Sequence, residues 1–581
     1  RPAVLPQPRP TAPRPHAPAS PAPLASKGRR GETPPPGEEI PGYADVADVL
    51  QQVQRATQRI FGHTPTALAG GEAVALIVTH RAALSRRYGA AVTAEIERRI
   101  SQLGSALLDR GLRPEFLLVD DPSVTASLGV APVADVSSPD AARAIAEQIR
   151  AIRRNTETAN QRLDAILLVG GDSVIPFHRL PNPSQDSDGP LCSDNAYGCG
   201  GGSEHVPDIV VARLPDGGAD AGELLLALLQ RSIEYHEGWL VSHGAPLGLP
   251  LPFLRRFVAG TRPQRPVRAW GASTDSWQEP SYEIFGELGT KHPLLICPPA
   301  GPDALGPAGV PDWDTSRILF FNLHGLPGGP NWYGQSAGAA PGEPLPVAIT
   351  PVHVDELEPA SICLTEACFG AEVMGRSAAN SMALRFLERG VFAFVGSTAT
   401  AYGSVALPLG GADILAQQVF QNLRRGQPIG RALLLARDWM ARETVERQGY
   451  LDPDDAKTLL SFVLLGDPWA TPYAKPVTQS KLALPALEPI VAQRRPILAT
   501  SVSPAAAELA QRLVAKIAPQ LARAPLVALG QGRPGRIAKG QAGAIVFSAT
   551  NEIATVDGRR AEQIARITVS HGAARKVLLS R

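Results

Sequence analysis

The chain has 581 residues, with 55 Gly, 56 Pro and 44% hydrophobic residues, which is room for roughly two to four domains. Charged residues make up 19% and the formal net charge is +1, so nothing in the balance draws the chain to nucleic acid or to an acidic membrane. No charge-free apolar run of about 18 residues occurs, so no segment reads as a membrane-spanning helix. Five cysteines are too few for a disulfide scaffold, and the odd count leaves a thiol free. The first residue is Arg1, so the chain reads as trimmed, processed or partial, and the lack of a leader says nothing about location.

Residues 1–41 hold 13 of the prolines and few aliphatic residues, which predicts an extended or disordered tail. Val46, Val49, Leu50 and Val53 then recur at helical spacing. Ala73 to Val78 reads as a buried strand, Thr93 to Leu108 as an amphipathic helix, and Glu115 to Val119 as a second strand. Ser138-Pro139-Asp140 predicts a helix start, with Ser138 as N-cap, running to about Arg154. Further strands are expected at Asp164–Val169, Asp208–Ala212, Leu294–Cys297, Arg317–Leu323, Ser361–Leu364, Val391–Val395 and Phe462–Leu465. Helices are expected at Glu223–Glu237, Asp413–Leu423 and Ile429–Arg442. Strands alternating with helices of this length imply an α/β fold with a mostly parallel sheet flanked by helices. Lys475 to Pro496 looks irregular. Beyond it a helix (Pro504–Ile517) and strands at Ala542–Phe547, Glu552–Val556 and Ile567–Val569 predict a small α+β domain. The expected organisation is a Pro-rich tail (1–41), an N-terminal α/β subdomain (42–160), a catalytic domain (161–475), and a linker with an accessory domain (476–581).

Two buried strands end in reactive residues. One is Ile318 to Leu323, followed by His324-Gly325. The other is Ile362 to Thr365, followed by Glu366-Ala367-Cys368-Phe369-Gly370. Ligands gather at the carboxyl ends of strands in a parallel α/β sheet, so a His and a Cys just past two such ends can meet over one cleft. An imidazole can take the thiol proton or hold the thiolate as an ion pair. Gly325 removes a side chain beside the His, so its backbone N–H and that of Cys368 can form an oxyanion hole. The plainer alternative is a buried cysteine beside a hydrogen-bonded strand-end histidine.

Other candidates are weaker. Cys363 lies inside a strand and reads as core. Cys192, Cys199 and His205 share a Gly-rich loop but lack a second ligand pair at zinc spacing. Cys192 and Cys199 read as a loop pair, free or disulfide-bonded. His80 follows a strand without a paired nucleophile, and His571-Gly572 shows how weak the His-Gly dipeptide is alone. Gly334-Gln335-Ser336-Ala337-Gly338 matches the G-x-S-x-G elbow, but its Pro- and Gly-rich flanks are neither strand nor helix, so it reads as a loop lining the cleft below His324.

Ordered pieces of the chain resemble the gingipain-type cysteine peptidases, relatives of caspases and legumains. They are Ala75 to Thr79, Leu108 to Gly111, Phe116 to Asp121, Ile166 to Asp172 with Ile175-Pro176, Ser193 to Gly198, and Pro207 to Pro215. The His324-Gly325 and Cys368 segments follow, then Gly396 to Ala399 and Leu464 to Pro468. The resemblance covers roughly 73–475. It implies a caspase-like fold, a His324–Cys368 dyad, a polypeptide substrate cut by a cysteine endopeptidase after basic residues, no required cofactor, and room for a structural Ca2+ whose ligands are not legible. It leans towards secretion or the cell envelope, while compartment and oligomeric state stay open. For an Arg-type pocket it implies a carboxylate and an aromatic wall, for which position suggests Glu279 or Asp275 and Tyr402. There are departures: Leu323 stands before the His-Gly where small or polar residues are usual, the loop after Gly325 is long, and the C-terminal region does not read as an immunoglobulin-like sandwich. The rival readings are a catalytically silent caspase-like module that binds partners and, third, a serine hydrolase using Ser336. Deep burial of Cys368, or a His324 ring turned from it, would favour the silent module. A basic-specific enzyme would also nick its own tail between Lys27 and Gly31.

Overall fold

The structure is a computed structural model describing residues 72–218, 221–243, 268–288, 294–305, 316–354, 361–472, 487–497, 501–538 and 543–581. The Pro-rich tail, its Lys27–Gly31 site and the helix expected at 46–53 lie outside the described residues. Residues 66–581 form one compact unit.

Its centre is a ten-stranded sheet. In chain order the strands are β1 (Ala73–Thr79), β2 (Arg113–Leu118), β3 (Arg162–Val169), β4 (Val210–Leu214), β5 (Ala269–Thr274), β6 (Leu295–Cys297), β7 (Ile318–Asn322), β8 (Ser361–Thr365) and β9 (Val391–Ser397). After a short strand of the other sheet, β10 (Tyr402–Ser404), comes β11 (Phe462–Gly466). Their order across the sheet is β2-β1-β3-β4-β11-β9-β8-β7-β5-β6. Neighbours are parallel except β9 and β11, which run antiparallel. The sheet is thus two parallel halves of opposite direction, and their carboxyl ends point to opposite edges. The mostly parallel sheet expected from the sequence is present.

The apolar runs of the sequence become strands covered on both faces. All five residues of β7 and all five of β8 are buried. Phe321 packs its ring against Trp270, Phe386 and Trp332, and burying one such side chain contributes about 1.5–3 kcal/mol. The helix expected at Thr93–Leu108 begins earlier, at Arg81, and spans Arg81–Asp109 with a break at Gly89, where φ is 80°. His80 caps it, its Nδ1 accepting the Ala83 N–H at 3.1 Å, which is the structural use of that strand-end histidine. Ser138-Pro139-Asp140 forms a turn, and the helix begins just after it, as Ala141–Thr158.

A second, six-stranded sheet follows. Its strands are β12 (Gln493–Pro496), β13 (Leu526–Gly532), β14 (Ala544–Ala554), β15 (Arg560–Ser570) and β16 (Ala573–Ser580), with β10 at one edge, in the order β10-β16-β15-β14-β13-β12. All its pairings are antiparallel. Helix Pro504–Ile517 covers one face around Ala510, Val514, Phe547 and Ile567. The two strands expected at Ala542–Phe547 and Glu552–Val556 are one strand, β14, whose polar stretch Thr550-Asn551-Glu552 is exposed but keeps its pairing with β15. His571-Gly572 is the two-residue turn joining β15 and β16, with both φ positive (51° and 75°) as such hairpin loops require.

Candidate active site

Phe321 of β7 stands opposite Thr365 of β8. His324 and Cys368 each lie three residues beyond that pair, so the parallel register brings them level past the carboxyl ends. Gly325 packs directly on the cysteine loop: a Cβ there would lie 1.9 Å from the Cys368 carbonyl oxygen, so only glycine allows this approach. After Cys368 the chain turns sharply at Phe369, whose φ of 55° is a left-handed value that a side chain resists.

The Cys368 thiol accepts the Ala401 N–H at 3.2 Å. Burial pushes it up to about 12, opposed by the backbone of Ala401 and of Arg581. His324 Nε2 meets Gln335 Oε1 at 2.6 Å, and its ring lies 4.5 Å from that of Trp277 at 66°. Burial depresses the imidazole to about 4, with the Gln335 hydrogen bond opposing. Both residues are 4% exposed. Among the hydrogen bonds of the described residues none joins His324 to Cys368, and none is donated by the backbone N–H of Gly325 or Cys368.

The residue that covers the pair is Arg581. Its backbone N–H donates to Ala401 O at 3.0 Å, and its backbone lies near enough to the Cys368 thiol and the His324 ring to oppose the effect of burial on each. Its guanidinium lies 4.2 Å over the Trp277 ring, donates to Ser404 O at 2.9 Å, pairs with Asp413 Oδ1 at 2.5 Å and stands 3.7 Å from Glu366 Oε2. Arg581, Trp277, Glu366 and Asp413 are all fully buried. Burial, then the charge of Asp413, pushes the Glu366 carboxyl well above its usual range, while Arg581 pulls it down. The result is a closed, acid-floored, aromatic-walled slot holding one guanidinium.

A second charged group steadies the thiol's other neighbour. Lys457 Nζ bridges Asp186 and Asp188 at 2.6 Å each, and Asp188 accepts the Thr400 N–H at 2.7 Å. That fixes the Thr400–Ala401 backbone against Cys368. Asp186 also accepts the Tyr402 hydroxyl at 2.7 Å.

The pocket residues suggested by position fall elsewhere. Glu279 is exposed on its helix. Asp275 accepts the Ala337 N–H at 3.0 Å and so ties two loops. The Tyr402 ring faces Lys457 and Arg566 rather than the Arg581 guanidinium. The aromatic wall comes instead from Trp277, inside the segment Asp275–Glu279, because the side chains flanking it project away. The Ser336 hydroxyl accepts the Gly338 N–H at 3.4 Å and its carbonyl the Ala339 N–H at 3.2 Å, both within its own loop, but its neighbour Gln335 reaches His324. Cys363 is core, and all five cysteines are free thiols. His205 bonds Ser203. Among the described residues no three His, Cys, Asp or Glu side chains gather as metal ligands. No helix of the described residues is long and apolar enough to cross a membrane. Gln335, Asp413 and Arg581 were invisible as site residues in the sequence. Glu366 was visible only as the residue before Ala367-Cys368.

Residues 126–245 match the model of peptidase family C25, the gingipain family. That segment holds Asp186 and Asp188, and also Asp194, which pairs with the buried Arg213 at 2.6 Å. It ends before His324 and Cys368. The crystal structure of the Arg-specific cysteine proteinase gingipain R is similar at 14% identity with a TM-score of 0.41, over 87% of this chain and 96% of that one. A structure described as a protease is similar at 11% identity with a TM-score of 0.45, over 90% of this chain and 99% of that one. No curated protein matches the chain.

Proposed function

We propose that the chain is a cysteine endopeptidase that cuts peptide bonds after Arg. The single observation that carries this is Arg581, with its backbone against His324 and Cys368 and its guanidinium against Trp277, Asp413 and Glu366. His324 takes the proton of the Cys368 thiol, and the sulfur adds to the carbonyl carbon of the substrate Arg. The N–H groups of Gly325 and Cys368 stabilise the oxyanion. His324 then protonates the leaving amine, the C–N bond breaks, and an acyl-enzyme remains. Water, deprotonated by His324, releases the product acid and restores the thiol.

Trp277 would carry the cation on its face, and Asp413 would supply the charge, with Glu366 beside it on the floor, in a site from which water is excluded, where such pairs discriminate strongly. Turnover of peptides differing only at the residue before the cut tests this: Arg peptides should be preferred over Lys, and Asp and Leu peptides should be inert.

The 4% exposure of both His324 and Cys368 favours the rival silent module. That reading predicts no peptide turnover even once the cleft is opened. The covering group, however, is an Arg strand in a substrate-like pose, which supports the peptidase.

A further inference from the structure

We propose that β16 is an intramolecular occupant of the substrate cleft, with Arg581 plugging the pocket and holding the enzyme closed. This rests on the peptidase reading for its function, although the plug itself is testable without it.

An extended peptide binds an enzyme by adding a strand to an exposed edge, with backbone hydrogen bonds for affinity and side-chain pockets for choice. β16 does this on β10, antiparallel, with Leu578 opposite Ser404, Leu579 opposite Gly403 and Ser580 opposite Tyr402. Arg581 extends the ladder by one bond, to Ala401 O, and this bond falls at the thiol. Gly403 is shaped for the occupant, since a Cβ there would meet Arg581 Nη2 at 2.1 Å.

The strand is not a loose end. Its other edge pairs with β15 from Ala565 to Ser570, and Leu578 and Leu579 are buried. The domain carrying it is clamped to the catalytic region: Arg494 donates to Asp454 at 2.7 and 2.8 Å and to Asp452 at 3.2 Å, and Lys576 of β16 pairs with Asp455 at 2.7 Å. A tethered occupant acts at an effective concentration on the order of mM, so a free peptide at ordinary concentration does not displace it. In the closed state the thiol is raised and the imidazole depressed, so both are neutral near pH 7 and no thiolate forms. Opening needs the short β10–β16 contact and the Arg581 contacts to part.

The test is alkylation of Cys368 by iodoacetamide in the full chain, mapped by peptide mass spectrometry, for wild type, Arg581→Ala, Arg581→Gln and the exposed control Arg560→Ala. Buried Cys363 in the same peptide reports the fold. Both Arg581 variants should label Cys368 about tenfold faster or more, with Cys363 still protected. Equal Cys368 rates in wild type and folded Arg581 variants would overturn the plug, even if the wild type cleaves Arg peptides. Faster labelling without any peptide turnover would uphold the plug and overturn the peptidase reading. If Arg581→Ala exposes Cys363, it has lost its fold and Arg581→Gln, which keeps most of the bulk, decides.

Discussion

The Arg581 guanidinium stands 4.2 Å over the indole ring of Trp277, and the His324 ring meets the same indole at 4.5 Å. One buried aromatic side chain thus touches both the guanidinium and the imidazole. On the proposed reading, recognition of a substrate guanidinium and positioning of the base would share that wall.

Cys368→Ala is expected to abolish peptidase activity, whereas Ser336→Ala leaves most of it. Cys368 ends a strand beside His324, while Ser336 sits in a loop whose contribution is Gln335. Initial rates on an Arg peptide, in an Arg581→Ala background if the wild type is closed, check this. Unchanged turnover in Cys368→Ala ends the thiol mechanism.

In the Arg581→Ala background, Asp413→Asn removes the carboxylate that lies 2.5 Å from the guanidinium in the closed chain. A charged hydrogen bond is worth about 1.5–3 kcal/mol, so kcat/KM for Arg peptides should fall roughly 10- to 150-fold. Glu279→Ala, on the exposed face, should change it less than about twofold. Equal losses in the two variants would move the pocket away from Asp413.

Acid should destabilise the fold before its carboxylates protonate. Burial depresses His324, His178 and His205 to about 4 each. The unfolded imidazole binds its proton near 6.5, so the unfolded chain gains protons first as pH falls. Stability is therefore full above about 6.5 and lost towards 4, by up to about 2 kcal/mol per histidine at pH 5. Denaturant unfolding at pH 7 and pH 5 should show this drop, smaller in His178→Phe. A flat profile contradicts it.

Much of the fold was legible because parallel strands buried on both faces are near-continuous apolar runs, as in Ile318–Leu323 and Ala165–Val169. The C-terminal sheet was less so. β16 reads Ala-Ala-Arg-Lys-Val-Leu-Leu-Ser, and its half-buried Lys576 pairs with Asp455, a partner more than a hundred residues away. Likewise His324 and Cys368 are legible as candidates because strand ends are local, while the slot draws Trp277, Glu366, Asp413 and Arg581 from four separate segments. No spacing rule connects those. Positional reasoning chose the segment of Trp277 but, seeking an acid, took Asp275 and Glu279.

Arg494→Ala should destabilise the chain by about 3–5 kcal/mol, since it leaves Asp452 and Asp454 buried beside each other with only Arg566 and Lys576 acting on Asp454. Thermal and denaturant unfolding measure it. A change below about 1 kcal/mol would mean that solvent reaches the cluster.

The most direct test of the account is hydrolysis of a peptide set varied only at the residue before the cut, by Arg581→Ala and by the same protein carrying Cys368→Ala. The account predicts cleavage after Arg in the first, little or none after Asp or Leu, and none at all in the second. Failure of Arg581→Ala to cleave any peptide while it folds and its Cys368 alkylates readily, or cleavage that survives Cys368→Ala, would contradict it.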